Sequence, residues 1–152
     1  MITQPTTARL IEVVRQELRE QVAPGLGDPQ TQASLQMIDH ILSTLAVRAE
    51  HEIAWMIEET AALCRLGHDV VAAYPGAGDV AAALAATEAV GAGSLHYDDV
   101  AARYSLASDI LSCAYEQTPA GSPLRVAIEG AFDQRLRHEV DIMGEFQLVG
   151  RT

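Results

Sequence analysis

The sequence predicts an all-α protein, an antiparallel helical bundle of four main helices with one or two short ones, organised on one long helix. Between Pro29 and Gly67 no Gly or Pro interrupts a run of strong helix formers. The composition is 49% hydrophobic but only 5% aromatic, and much of the apolar content is Ala. Such a composition favours closely packed helices over a β-sandwich. Short Gly- and Pro-containing segments separate the remaining helical patterns, as in a bundle.

Length, charge and cysteine content limit the expected number of domains, the possible partners and the cellular compartment. The 152 residues contain no long linker, so we expect one domain, 1–152. Ten Arg, no Lys and 21 acidic residues give a net charge of −11, which disfavours nucleic acid and anionic membranes as partners. Neither a signal-peptide pattern nor a long apolar run occurs, so we expect a cytoplasmic protein. Cys64 and Cys113 each lie in an apolar helical pattern, and we expect two buried free thiols.

The first helix is expected from Pro5 to Val22, with apolar residues at helical spacing. Its opening stretch, residues 5–15, resembles the start of an uncharacterised bacterial helical family. Members of that family are encoded beside acyl-CoA dehydrogenases and aminoglycoside-phosphotransferase-like proteins, and no activity is assigned to it. The resemblance therefore supplies no functional residue.

The long helix is expected to begin with Asp28 as the cap and Pro29 in the first turn, and to stop at Gly67. The short connection before it predicts that it lies antiparallel to the first helix. On a helical projection, one arc of roughly 120° is apolar and predicts the core face. Its members are Leu35, Ile38, Leu42, Leu45, Ala46, Ala49, Ile53, Met56, Ile57, Thr60, Leu63 and Cys64.

Three further helical segments follow. Residues 68–74 are ambiguous between a short helix and an extended piece, and the break at 75–78 precedes a short helix ending near Val90. Ser94 is expected to cap a helix that reaches about Gln117, with Tyr97, Val100, Tyr104, Ala107, Leu111 and Ala114 on one face. Ser122 and Pro123 should start the last helix. Its predicted core stripe is Ile128, Phe132, Leu136, Val140, Met143 and Phe146.

The sequence gives little support for a metal site or for a catalytic group. A di-metal bundle site needs Glu-x-x-His on inward faces, and this motif is absent from the sequence. His138, Asp141 and Glu145 lie near one another on the last helix, but opposite its core stripe, so a solvated surface cluster is expected. Cys64 and His68 are four residues apart, but Gly67 should place His68 beyond the helix end.

Each of two other patterns can be interpreted either as a functional site or as an ordinary structural feature. Gly76-x-Gly78 before a helix resembles a phosphate loop, but no strand precedes it and no Lys follows, so a turn is expected. His51 lies between Glu50 and Glu52, which could make it an acid or base, although an interfacial histidine is the commoner case. We therefore predict no catalytic residue, no metal ligand and no cofactor.

A second face of the long helix predicts an interface. It carries residue types that are enriched in protein–protein contacts. Its members are Met37, Ile41, Arg48, Trp55 and Leu66. A forty-residue helix spans about 60 Å, whereas a compact globule of this size is about 38 Å across. Either the helix breaks or it projects and needs a partner, and we predict a homodimer built on this face. The alternative is a bundle helix that contacts neighbouring helices on two sides.

Three functions remain open from the sequence. The first is a non-enzymatic interaction or accessory protein that self-associates through the long helix. The second is a bundle with an internal pocket for an acyl or aromatic ligand, the direction in which the family's acyl-CoA neighbours also point. Its lining residues would be Met56, Tyr97, Tyr104, Phe132 and Met143. The third is a metal-dependent enzyme that uses His51 or His138.

Overall fold

The computed structural model of the protein describes residues 4–144, and all the regular secondary structure within that range is helical, without strands. Its elements are α1 (Thr7–Glu17), a π-helical turn (Leu18–Val22), a 3₁₀ turn (Ala23–Gly25), α2 (Pro29–Ala73), α3 (Gly78–Ala89), α4 (Tyr97–Gln117) and α5 (Pro123–Met143). The all-α class is confirmed. None of the described helices is both long and apolar enough to cross a membrane.

The residues group into two compact units. Among the described residues, the first unit consists of 4–52 and 139–144, and the second is Ile53–His138. Both α2 and α5 therefore contribute residues to each unit. The single domain expected from length stays a prediction.

The starts of α1, α2 and α5 follow local signals in the sequence, whereas α4 begins at Tyr97 after His96 and is not capped by Ser94 as expected. Thr6 caps α1 by accepting a hydrogen bond from the Arg9 amide. Asp28 accepts from both the amide and the hydroxyl of Thr31 at the start of α2, and the hydroxyl contact first, then the amide, lowers the pKa of this exposed carboxyl. Ser122 accepts from the amide of Arg125 at the start of α5. Each side-chain oxygen satisfies an amide that has no partner within its own helix.

Gly67 does not end the long helix, and this prediction is wrong. Helix α2 continues through Gly67 to Ala73, so residues 68–73 belong to it. A Cβ at position 67 would lie only 2.9 Å from Cγ2 of Ile110, on α4. The glycine is therefore needed for close approach of two helices rather than for a helix stop.

The second unit contains the hydrophobic core. Leu63, Leu66 and Val70 of α2 are buried there with residues from α3, α4 and α5. The other buried members are Ala77, Val80, Leu84, Ala107, Ile110, Leu111, Ala114 and Ile128. The predicted buried face of α4 is confirmed at Val100, Ala107, Leu111 and Ala114.

Helix α5 is rotated relative to the sequence prediction. Ile128 is fully buried, but the rest of its described apolar stripe is exposed, so that part of the prediction is wrong. The exposed members are Phe132, Leu136, Val140 and Met143, and Phe146 lies outside the described residues. Arg135 and His138, which are polar, turn inward instead. The polar partners that α5 meets in the second unit explain this rotation.

The first unit is held by ion pairs rather than by a large buried core. Asp39 of α2 accepts from Arg15 Nε at 3.1 Å and from Arg19 Nη2 at 2.7 Å. Burial would raise the pKa of Asp39, but the two arginines outweigh it and lower that pKa. Among the described apolar side chains of this unit, Ala46 is the one that is buried.

The core arc predicted for α2 is therefore correct only in part. Met56, Thr60 and Leu63, in the second unit, are buried. Ile38 and Leu45, in the first unit, are among the exposed large hydrophobic residues. Cys64 and Cys113 are free thiols and half-buried, and burial raises the pKa of each.

Candidate functional site

The strongest polar constellation in the second unit centres on Glu59 of α2, whose exposure is only 8%. Its Oε2 accepts a hydrogen bond from the hydroxyl of Tyr104 at 2.8 Å and lies 3.2 Å from Nε of Arg135. Its Oε1 lies 2.5 Å from Nδ1 of His138. Two helices, α4 and α5, thus direct polar groups at one buried carboxylate of α2, which could not be buried as an anion without such partners.

The hydrogen bonds around His138 indicate its tautomer. Arg137 donates to Oε1 of Gln134 at 3.4 Å, which leaves the Gln134 amide nitrogen as the donor to His138 Nε2 at 2.8 Å. Nε2 is then an acceptor, and Nδ1 carries the proton that is donated to Glu59. In this assignment the imidazole donates to the Glu59 carboxylate, and Arg135 places a guanidinium beside the same carboxylate.

Aromatic rings enclose the same cluster. The Trp55 ring stacks on the His138 ring with centroids 4.2 Å apart and planes 2° from parallel. The guanidinium of Arg135 lies 4.5 Å from the Tyr104 ring centroid and donates to the Ser108 hydroxyl at 2.7 Å. Burial first, and then the hydrogen bond to Glu59, raises the pKa of Tyr104. The rings shield the charges from water, which strengthens their interaction.

This arrangement fits a structural role better than catalysis. A carboxylate that orients a histidine is half of a nucleophile-activating triad. However, Nε2 of His138, the atom that would accept the proton of a nucleophile, is engaged by Gln134. The nearby hydroxyl of Ser108 donates to the Tyr104 carbonyl oxygen and accepts from Arg135. We interpret the cluster as a structural contact that joins α2, α4 and α5 within the second unit.

Sequence reasoning did not identify this cluster. Glu59 precedes the core-arc residue Thr60 in the sequence but lies about 100° from it on the helical projection, and a single Glu outside the apolar arc is common on amphipathic helices. His138 was expected on a solvated surface with Asp141 and Glu145, and this is wrong for His138, whose side chain is 14% exposed. Asp141 is exposed, and Glu145 lies outside the described residues. The charged residues on the inner face of α5 could have indicated the cluster. The neighbouring apolar stripe instead suggested that a different face of α5 is buried.

The first unit contains an apolar stripe on α2, made of Met37, Ile38, Ile41 and Leu45. All four belong to the exposed large hydrophobic residues, with Met37 at 56% and Ile41 at 53%. At about 100° per residue, the four residues lie within one arc of about 100°, and the centre of this arc is on the side of the helix opposite Asp39. Because Asp39 binds α1, this stripe points away from α1.

The predicted interface residues separate into different surroundings. Met37 and Ile41 lie in the α2 stripe, and Arg48, exposed near its end, lies 3.5 Å from Glu52. Trp55 belongs to the second unit and stacks on His138. Leu66, at 9% exposure, is packed in the core of the second unit and is not available to a partner.

The predicted pocket residues have different surroundings. Met56 is buried, Tyr104 is bonded to Glu59, and Tyr97 is half-exposed. Phe132 meets the Tyr115 ring edge-on with centroids 5.7 Å apart. Met143 is exposed and belongs to the first unit, whereas the other four belong to the second.

The remaining candidates have ordinary local partners. Gly76 and Gly78 form a turn in which the Gly78 amide donates to the Gly76 carbonyl oxygen. His68 lies within α2 rather than beyond it, and its Nε2 is 2.9 Å from Oε1 of Glu88. His51 Nε2 is 3.9 Å from Oε2 of Glu50. Within residues 4–144, no group of three or more His, Cys, Asp or Glu is arranged to hold a metal ion.

Comparisons with protein-family models, with curated proteins and with solved structures find no match for this chain. The resemblance of residues 5–15 to a helical family stays a prediction. Function must therefore be argued from the described residues alone.

Proposed function

We propose that this protein is a self-associating helical protein, whose homodimer forms through the α2 stripe of Met37, Ile38, Ile41 and Leu45. The observation that supports this proposal is the exposure of four large apolar side chains on one face of a helix. Scattered exposed apolar residues are normal, but a contiguous stripe is typical of an interaction surface.

The energy of burying this stripe is sufficient for a weak dimer. Complete burial of one such side chain contributes about 1.5–3 kcal/mol, so covering its exposed half contributes about 0.75–1.5 kcal/mol. Two copies of the stripe then contribute about 6–12 kcal/mol, against an association cost of at least about 4 kcal/mol. At the middle of this range, about 9 kcal/mol, the balance of about 5 kcal/mol corresponds to a dissociation constant of about 0.2 mM.

The stripe is complementary to itself in an antiparallel arrangement. With Ile41 on a two-fold axis, Met37 of one copy meets Leu45 of the other, and each Ile41 meets its own equivalent. Arg48 then lies opposite Ser34 of the second copy, so no like charges are brought together at this end. Such a self-complementary pattern favours a second copy of this chain over an unrelated partner.

Sedimentation velocity between about 10 μM and 1 mM, a range chosen to span the expected affinities, tests the proposal. We expect the mass to rise with concentration toward twice the 16.3 kDa of one chain. Ile41→Glu should give a monomer throughout, because two carboxylates would meet at the two-fold axis. Gln36→Glu, exposed on another face of α2, is the matched control and should still dimerise. A wild-type protein that remains monomeric up to the highest concentration contradicts the proposal.

Cross-linking tests the geometry separately. In a background with Cys64→Ala and Cys113→Ala, Ile41→Cys should give a cross-linked dimer with a short bis-maleimide, since helix axes that pack together lie about 8–10 Å apart. Gln36→Cys should cross-link far less. Equal cross-linking of the two variants would rule out the α2 stripe as the dimer face.

A further inference from the structure

A small cleft in the second unit lies between α2, the loop that follows α3 and the beginning of α4. The residues that line it include Ile57 and Thr60 of α2, Gly91 and Ser94 of the loop, and Arg103 of α4. The interior of the cleft measures about 20 Å³, and the empty space reaches about 310 Å³ only when the open solvent at its mouth is counted. The interior holds little more than a water molecule or a comparably small group, so an occupant would have only a few non-hydrogen atoms.

Arg103 is the distinctive group in this cleft. Its Nε is buried and has no hydrogen-bond acceptor in the part of the chain that the structure describes. The neighbouring carboxylate of Asp99 is instead occupied by the Ser94 hydroxyl, which donates to its Oδ2 at 2.6 Å. A buried guanidinium N–H without an acceptor is costly, and such groups in folded proteins commonly mark a bound water or ion.

We propose that this cleft binds a short monocarboxylate, such as formate or acetate, through the guanidinium of Arg103. The planar guanidinium matches a carboxylate with two parallel N–H···O bonds, and Nε provides one of the donors. The side chains of Ile57 and Val100 also line the cleft and suit a short alkyl group. This inference is independent of the proposed dimer.

Asp99 determines which anions fit. Its carboxylate lines the same cleft, so a ligand with two negative charges would be repelled at close range. A monocarboxylate carries one charge and can direct both oxygens toward Arg103. The site should therefore prefer acetate over inorganic phosphate, and Asp99→Asn should reduce this preference.

The Nε–Hε resonances of the arginines give a direct reading of binding. The chain has ten basic residues, all of them Arg, so the spectrum of the ¹⁵N-labelled full chain is small. Titration with sodium acetate should shift one Nε–Hε resonance saturably, and this resonance should be missing in Arg103→Gln. The Nε–Hε of Arg135, already directed at Glu59 and the Tyr104 hydroxyl, should shift much less.

Calorimetry with sodium acetate, sodium phosphate and sodium chloride at matched ionic strength completes the test. Arg103→Gln should weaken acetate binding about tenfold or more, as expected for the loss of a charge-assisted pair. Arg65→Gln, an exposed arginine on α2, is the matched control and should bind as the wild type does.

Specific results would overturn the inference. These are parallel, non-saturating shifts of all arginines, or phosphate or chloride binding as tightly as acetate. If Arg103→Gln does not fold, Asp99→Asn tests the inference instead. The ratio of its affinity for acetate to its affinity for phosphate must then be lower than in the wild type. An unchanged ratio in Asp99→Asn would also overturn it.

Discussion

Nδ1 of His138 lies 2.5 Å from Oε1 of Glu59, although 79 residues separate the two in the sequence. The pair joins α5 to α2, and Tyr104 adds α4 to the same carboxylate. A charged cluster thus occupies a position between helices where an apolar contact would be the simpler solution. Buried polar clusters of this kind constrain how helices are rotated, because every member needs its partner.

Glu59→Ala should lower the free energy of unfolding by about 3 kcal/mol, because Arg135 and His138 would lose their common partner. Urea unfolding followed by circular dichroism measures this change. Glu58→Ala, at the exposed neighbouring position on α2, should cost no more than about 0.5 kcal/mol. Similar losses for the two variants would show that the cluster does not hold the helices together.

Gly67→Ala should destabilise the protein by about 1–3 kcal/mol through overpacking, despite the better helix propensity of Ala. Its new methyl group would meet Cγ2 of Ile110 at 2.9 Å, and this atom is not at the end of a flexible chain. Gly130→Ala is the matched control within α5, because a Cβ there meets nothing within 4 Å. Gly130→Ala should raise stability by up to about 1 kcal/mol. Thermal unfolding of both variants compares the two sites, and opposite signs are expected.

Tyr104 should ionise at higher pH than an ordinary tyrosine, since burial and then the hydrogen bond to Glu59 raise its pKa. Absorbance at alkaline pH should resolve one late-titrating group among the four tyrosines, and Tyr104→Phe should remove it. The neutral form is favoured in the folded state. The associated stability is therefore present below the unfolded-state pKa and is lost as pH rises through the folded-state pKa. A titration curve unaltered by Tyr104→Phe would contradict this assignment.

Asp39→Asn should reduce the stability of the first unit near neutral pH but have little effect in strong acid. Arg15 and Arg19 lower the pKa of Asp39 in the folded state against the opposing effect of burial. The stabilisation is therefore present above the unfolded-state pKa and is lost as pH falls through the folded-state pKa. Urea unfolding at a series of pH values measures the difference from wild type. Asp133→Asn, exposed on α5, serves as the control, and a difference that persists unchanged into strong acid would refute the prediction.

The proposed surfaces were only partly accessible to sequence reasoning. Met37 and Ile41 were identified from their spacing and residue type, but Ile38 and Leu45 were placed on the core arc. The structure leaves all four exposed because the first unit presents its Asp39 side to α1. Leu66 was assigned to the interface by the same projection, yet the packing of the second unit buries it. A helical projection orders residues around an axis, but it does not say which side the neighbouring helix will occupy.

The sequence by itself determined where α2 and α5 begin and that the protein is all-α. These features depend on contacts within one turn, such as Asp28 with Thr31 and Ser122 with Arg125. Only the tertiary structure decided that α2 continues through Gly67, that α5 turns Arg135 and His138 inward, and that Glu59 is buried. The physical reason is that rotation and close approach depend on the shape and charge of distant partners. The fit of Gly67 against Ile110 and of Glu59 against His138 exists only once the helices have packed.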